Sequence, residues 1–468
     1  MKNLFFKDVS RSFILKVIGL GLSFLIQIII SRYLGIESYG VWNKAFSWMQ
    51  IILIIALFGN QKTLLREASA DKSFSINRYW SISLQAIIAF TGIYVLFIII
   101  GQTVNYISGF EFEFALLITF ILGINTVLNM LSTAMLQAKQ KNYITILVNI
   151  VCVPLVNAIF LICISYIYGD DIRMLLSYII SGVLGVILLI NIVGKKYPKE
   201  KFNFERKINI NYSFWINDLS KNILPYLVIA FISFLLSDQE LGGYSASFKI
   251  TRLMLFFSSV FISFSPIIVR YVKDNRLNEL EKAYLTINKL LLVIVYPVLL
   301  GLFMFSEYIL LIFGKQFQDF NYVLQILSIA AYVITVTGPI GEMLNMSGNE
   351  RIEKNINVVT AFCNIALLFP LSNTYGVAGA ALSFTIPAVA SNISKLYYVK
   401  KVLNIKTFKK KHLTILLIQI ILTLINIYLM EENYSIYLFT ISLIVYAASI
   451  YLLRLANITE LKLLYNTN

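Results

Sequence analysis

About fourteen stretches of roughly twenty apolar residues follow one another along this chain, separated by short polar connections. A helix of that length crosses ~30 Å of hydrocarbon, and nothing constrains the fold more. The runs start near Ser12, Val41, Ile82, Phe114, Tyr143, Ile172, Phe214, Gly243, Tyr284, Tyr322, Asn355, Gly376, Leu413 and Ser435. Only 13% of the 468 residues are charged, about half the soluble norm of ~25%. Lipid is therefore the expected solvent, and the fold class is all-α integral membrane. The run after "MKNLFFKDVSR" is too long for a signal-peptide core and lacks a small-residue cleavage site, so it reads as a retained first span.

A net charge of +15 raises the question of nucleic acid, and its distribution answers it. The connections alternate. One set holds "QKTLLREASADKSFSINR", "AKQKN", "GKKYPKEKFNFERK", "RYVKDNRLNELEK", "NERIEK" and "KKVLNIKTFKKKH". The other holds "GIESYG", "SGFEFE", "YGDD", "SDQELGG", "FGKQFQDF" and "MEEN", acidic apart from Lys315. By the positive-inside rule the basic set is cytoplasmic, which puts both termini inside. The basicity is topological, and no nucleic-acid partner is expected.

Several chemistries fall away. Cys152, Cys163 and Cys363 lie in apolar runs and the lone His412 at a basic loop edge, so neither a disulfide framework nor a metal site is read. No G-x-x-x-x-G-K-[ST] occurs, which removes nucleotide hydrolysis through a P-loop. The longest acidic-side connection runs only from Gln102 to Glu113, leaving no room for the large external loop of a membrane glycan polymerase.

A weak internal repeat is present. "ESYGVWNKAF" opens the second run and "LGGYSASFKI" the eighth, with Tyr39 and Tyr244 each five residues before Lys44 and Lys249. "AMLQAKQKNYITILVN" from Ala134 and "EMLNMSGNERIEKNIN" from Glu342 repeat the same offset of six spans. The expected organisation is a six-helix lobe over 1–195, a basic cytoplasmic linker 196–212, a second lobe over 213–400, and a basic loop with two further helices over 401–468. Parallel repeats of this kind commonly carry a transport site at their interface.

Charges inside the runs are the candidate site. Span 1 gathers Ser12, Lys16, Gly19, Ser23 and Gln27 within about 80° of one helix face. Span 8 gathers Ser245, Lys249, Arg252, Ser259 and Ser263; span 7 carries Asp218, Lys221, Asn222 and the helix-bending Pro225. Lys16, Lys44, Lys289 and Lys395 lie near boundaries where a lysine can snorkel, and Asp218 with Lys221 can simply neutralise each other. Glu342 reads either as an intramembrane acid or as the start of a loop. Arg252 lies ~14 Å beyond Gly243, near the bilayer centre, where a cation costs about 2.5–3.5 kcal/mol unless answered. Lys16, Lys44, Lys221, Lys249 and Arg252 against Asp218 make the interior cationic, suited to phosphate or carboxylate.

"SRYLGIESYGVWNKAF" (31–46), "FSEYILLIFGKQFQDFNYVLQIL" (305–327) and "YGVAGAALS" (375–383) resemble polysaccharide-biosynthesis flippases, the O-antigen type, of the multidrug/oligosaccharidyl-lipid/polysaccharide exporter superfamily. The resemblance runs from Arg11 to about Lys400. It implies two six-helix bundles forming a V that opens alternately to either side. It implies a substrate, a glycan on undecaprenyl pyrophosphate, moved to the outer leaflet of the bacterial cytoplasmic membrane. Partners would be that lipid-linked glycan, membrane lipid and possible glycan-polymerase machinery; no cofactor beyond a coupling H+ or Na+ is implied, and no enzymatic activity. The lipid II flippase branch usually has arginines where this chain has mainly lysines. A lipid II flippase, a drug or metabolite antiporter of the same superfamily, and a glycan polymerase remain the rival readings.

Overall fold

The computed structural model describes residues 2–70, 76–104, 106–107, 110–139, 141–164, 170–196, 215, 219, 223–259, 265–429, 435–453 and 455. Among the described residues the chain is helical and no strand occurs. Hydrocarbon explains this, since each backbone N–H and C=O must there be paired within its own segment. Seven helices are long and apolar enough to cross a membrane, and shorter apolar helices accompany them.

Two of the long helices are hairpins, each turned by one glycine. Helix α1 (Lys2–Ala56) would be ~80 Å long if straight, but Gly35 stands at φ 74°, ψ 176° inside it. Tyr39 Oη donates to Gln27 Oε1 at 3.3 Å, although twelve residues of straight helix would separate them by ~18 Å. The chain therefore reverses at Gly35, in a backbone region that costs any other residue about 1–3 kcal/mol. At the other end of the sequence, Gly376 (φ 55°, ψ −135°) interrupts a helix running Glu350–Leu403. A Cβ on Gly379 would lie 1.8 Å from the Leu371 carbonyl oxygen, again possible only if the chain turns back. Both turns fall where the apolar runs were read as ending and restarting.

The chain divides into two compact units, residues 1–242 and 243–468. In the first, α2 (Asn60–Ala70), α3 (Ile76–Thr103), α4 (Phe110–Ala138), α5 (Asn142–Ile146), a π-helical turn (Leu147–Cys152), α6 (Val153–Ile164), α7 (Asp170–Lys196) and α8 (Leu224–Ile232) follow α1. Helix α4 is central, packed against α1, α2, α3, α5 and α7. Buried tyrosines stitch α3 to it: Tyr79 Oη with Ser132 Oγ at 2.7 Å, Tyr94 Oη with Thr119 Oγ1 at 2.6 Å. The π turn has a local cause. Pro154 offers no N–H to the Ile150 carbonyl and its ring crowds that oxygen, so the helix widens. The widened turn presses on α1 at Gly19, where a Cβ would stand 1.8 Å from Ile150 Cγ2 and 2.5 Å from its carbonyl oxygen. Gly19, read from sequence as part of a polar stripe, is a close-approach position.

Crossing into the second unit, α9 spans Asp238–Arg252, followed by α10 (Leu255–Ser259), α11 (Ser265–Lys273), α12 (Leu277–Met304), α13 (Ser306–Leu311), a 3-10 turn (Lys315–Phe320), α14 (Asn321–Val336), α15 (Ile340–Met346), α16 (Glu350–Leu403), α17 (Lys410–Tyr428) and α18 (Ser435–Leu452). The last two helices are anchored through one buried amide. Gln419 Nε2 donates to the Leu292 carbonyl and to Tyr446 Oη, both at 2.8 Å; its Oε1 accepts from Tyr332 Oη, and its backbone carbonyl accepts from Tyr296 Oη at 3.1 Å. Asn426 and Ser442 then bond reciprocally between α17 and α18.

One expectation is corrected here. Lys289 does not snorkel; it is buried on α12, with 6% of its surface exposed. The "NERIEK" connection forms the first turns of α16 and buries Glu353. Glu342 resolves to the short helix α15, beyond the turn at Gly338, and is half-buried.

Candidate functional site

The segment "SDQELGGYSASFKITR" encodes a helix with its charges sorted by end. Ser237 and Glu240 form the two-way cap at its start, with Glu240 N donating to Ser237 Oγ at 3.3 Å and Ser237 N to Glu240 Oε2 at 3.0 Å. Asp238 and Glu240 occupy the first turn of α9, Lys249 and Arg252 the last. This ordering complements the helix dipole at both ends. Two glycines admit close packing near the start: a Cβ on Gly242 would lie 2.2 Å from the Ile36 carbonyl oxygen, and one on Gly243 2.2 Å from the Phe320 ring.

The eighth span, expected to be continuous, breaks immediately after Arg252. Leu253 and Met254 are held by three-residue bonds, Leu253 N to Ile250 O at 3.1 Å and Met254 N to Thr251 O at 3.0 Å, before α10 begins. Arg252 is thus the terminal residue of a half-helix and is exposed; Lys249, one turn earlier, is half-buried. The guanidinium stands 5.9 Å from the Phe248 ring centroid. Phe248 stacks on the fully buried Tyr244 at 6.0 Å and takes Phe384 edge-on at 5.3 Å. An aromatic ladder therefore stands beside the guanidinium. Among the described residues no carboxylate pairs with Arg252. An unneutralised planar donor beside a second cation is arranged to receive a bidentate anion.

Lys44 has different surroundings. Its ammonium lies 4.3 Å from the Phe112 centroid and 4.8 Å from that of Tyr106. Tyr106 Oη is fixed by Ser233 Oγ at 2.7 Å and by Trp48 Nε1, which donates to it at 3.1 Å, while its ring stacks on Phe234 at 4.3 Å. Sequence reasoning missed this cage, whose only signal was the aromatic spacing of "NYISGFEF" in the longest acidic-side connection. The side chain of Lys16, together with Asp218 and Lys221, lies outside the described residues. The structure thus brings Lys249 and Arg252 together on one helix face and gives Lys44 an aromatic box of its own.

The N-terminal part of the chain, residues 5–217, matches the family model "Polysaccharide biosynthesis protein", and residues 216–369 match the MatE model. The two models follow one another along the chain, from residue 5 to residue 369. Among similar proteins, the "Probable low-salt glycan biosynthesis flippase Agl15" of Haloferax volcanii is 23% identical, over 85% of each chain. The "Lipopolysaccharide biosynthesis protein WzxC" of Escherichia coli is 26% identical over 48% of this chain and 47% of its own length. Likeness of fold to solved structures extends over nearly the whole chain. Lipid II flippase MurJ, in an inward closed conformation, matches with a TM-score of 0.72 at 17% identity, covering 95% of this chain and 98% of that one. An inward-facing multidrug resistance MATE transporter matches with a TM-score of 0.65 at 13% identity, covering 84% and 98%. The chain is accordingly a multi-pass all-α membrane protein.

Proposed function

We propose that this chain is a flippase for a glycan carried on undecaprenyl pyrophosphate, of the O-antigen or capsule type. It moves the headgroup from the inner to the outer leaflet of the cytoplasmic membrane by alternating access, with both termini on the cytoplasmic side. The observation that carries the reading is Arg252, a guanidinium with no carboxylate partner among the described residues at the broken end of a membrane helix, with Lys249 one turn away. Bringing a pyrophosphate to mid-membrane needs cations there, and broken spans are where transporters commonly place such contacts. Arg252 binds the pyrophosphate bidentately and Lys249 adds charge; Lys44, Lys16 and Lys221 line the rest of the cationic path, and Asp218 exchanges partners during the cycle. The lobes over 1–195 and 213–400 supply the two moving bodies, joined by the basic linker 196–212, with 401–468 appended. An H+ or Na+ gradient drives the cycle. The substrate is displaced and no covalent bond changes, so the protein acts as a transporter rather than an enzyme, beside a glycan polymerase that consumes its product.

Deleting the gene and probing lipid-linked glycans with a membrane-impermeant lectin or glycosidase tests this. They should accumulate on the cytoplasmic leaflet; normal appearance outside would remove the proposal. If depletion instead halts peptidoglycan synthesis, the lipid-linked cargo is the cell-wall precursor.

A further inference from the structure

The first unit carries a second polar centre that the cationic reading does not use. On α4, Asn129 Nδ2 donates to Asn149 Oδ1 at 2.8 Å; Asn149 Nδ2 donates to Thr133 Oγ1 at 3.1 Å; Thr133 Oγ1 donates back to Asn129 Oδ1 at 3.4 Å. Asn149 belongs to the π turn, and all three side chains are half-buried. Asn129 lies ten residues from Lys139 at the inner end of α4, so ~15 Å deep, in the middle of the bilayer. Polar groups at that depth cost several kcal/mol if they face lipid.

They do not face it. The exposed apolar residue of α4 is Leu117, and Asn129 and Thr133 point about 120° and 160° away from it at 100° per residue. On the partner helix, Leu147, Leu155 and Ile159 form the exposed stripe, with Asn149 roughly opposite Leu147. Asn125, one turn from Asn129, is turned to α7 instead: a Cβ on Gly182 would stand 2.5 Å from its Nδ2.

The ring leaves capacity unused. Asn129 and Asn149 each spend one of two amide hydrogens within it, and each carbonyl oxygen keeps a second acceptor site. Neighbouring donors and acceptors match a sugar, whose hydroxyl and acetamido groups also both give and accept. The two segments that form the ring carry no charge of their own: from Phe114 to Ala138 and from Asn142 to Ile164 no charged residue occurs.

We propose that Asn129, Thr133 and Asn149 form a subsite in the first unit for an uncharged sugar of the transported glycan. This rests on the flippase reading and adds the group that reads the sugar, separate from the cations that hold the pyrophosphate. The competing role is plain interhelical bonding, which would affect stability without regard to ligand.

The test uses the full chain in lipid nanodiscs. Its two probes are the lipid-linked glycan that accumulates in host cells lacking the gene and undecaprenyl pyrophosphate without sugar. Asn129→Leu, Asn149→Leu and Thr133→Val should each weaken binding of the glycan-bearing lipid about tenfold and leave the bare lipid unchanged; Thr133→Ser, which keeps the hydroxyl, should restore binding even if the leucine variants fail to fold. Equal loss for both probes, or no loss for either, overturns the subsite and leaves the flippase reading standing. If no lipid-linked glycan accumulates in the deletion strain, or wild type binds neither probe, the flippase reading fails and the subsite with it.

Discussion

The Arg252 guanidinium lies 5.9 Å from the Phe248 ring centroid, and Phe248 is itself clamped edge-on by Phe384 at 5.3 Å. A long cation at the end of a half-helix would otherwise sample many rotamers. Holding the guanidinium beside a fixed ring lowers the ordering cost of binding.

Arg252→Ala should therefore abolish measurable flipping, and Arg252→Lys should lose at least tenfold, because an ammonium cannot make the two parallel bonds. Phe248→Leu should weaken substrate binding about 2–5-fold, the equivalent of a cation–π contact worth ~0.5–1 kcal/mol. Transport of lipid-linked glycan into proteoliposomes by each variant measures both. Wild-type rates in Arg252→Ala would exclude the arginine from the site.

The Lys44 cage predicts a hierarchy. Tyr106→Phe removes the hydrogen bonds to Ser233 and Trp48 but keeps the ring beneath the ammonium; Tyr106→Leu removes both. The leucine variant should melt lower than the phenylalanine variant by a few degrees, read by thermal shift in detergent. Equal melting would show that Lys44 draws nothing from the ring.

Gln419 predicts the fate of the last two helices. Gln419→Leu strands the Tyr332 hydroxyl and leaves the Leu292 carbonyl and the Tyr446 hydroxyl only their mutual bond at 3.3 Å, a cost of about 1–3 kcal/mol. Limited proteolysis should then cut the connection ahead of α17, near Lys406 and Lys409, faster than in wild type, while helix content by circular dichroism stays unchanged.

Substitution at the hairpin glycines separates backbone strain from crowding. Gly35 has open space around it, so Gly35→Ala is penalised by its φ alone, about 1–3 kcal/mol. Gly379→Ala meets the Leu371 carbonyl at 1.8 Å and should be the more damaging of the two in expression level and melting temperature.

The sequence by itself determined the solvent, the helical class, the placing of both glycine hairpins and the presence of cations in spans that lipid would reject. These follow from quantities summed along the chain, hydropathy over a run and charge per connection, which need no knowledge of neighbours. The periodicity of α9 likewise put Lys249 and Arg252 on one face, since spacing along a helix is local. Only the tertiary structure decided what each side chain meets. It ended α9 at Arg252, buried Lys289, seated Lys44 between Tyr106 and Phe112, and joined Asn129 to Asn149 across a π turn. Each of those outcomes depends on residues tens of positions away, brought near by packing that no window along the sequence contains.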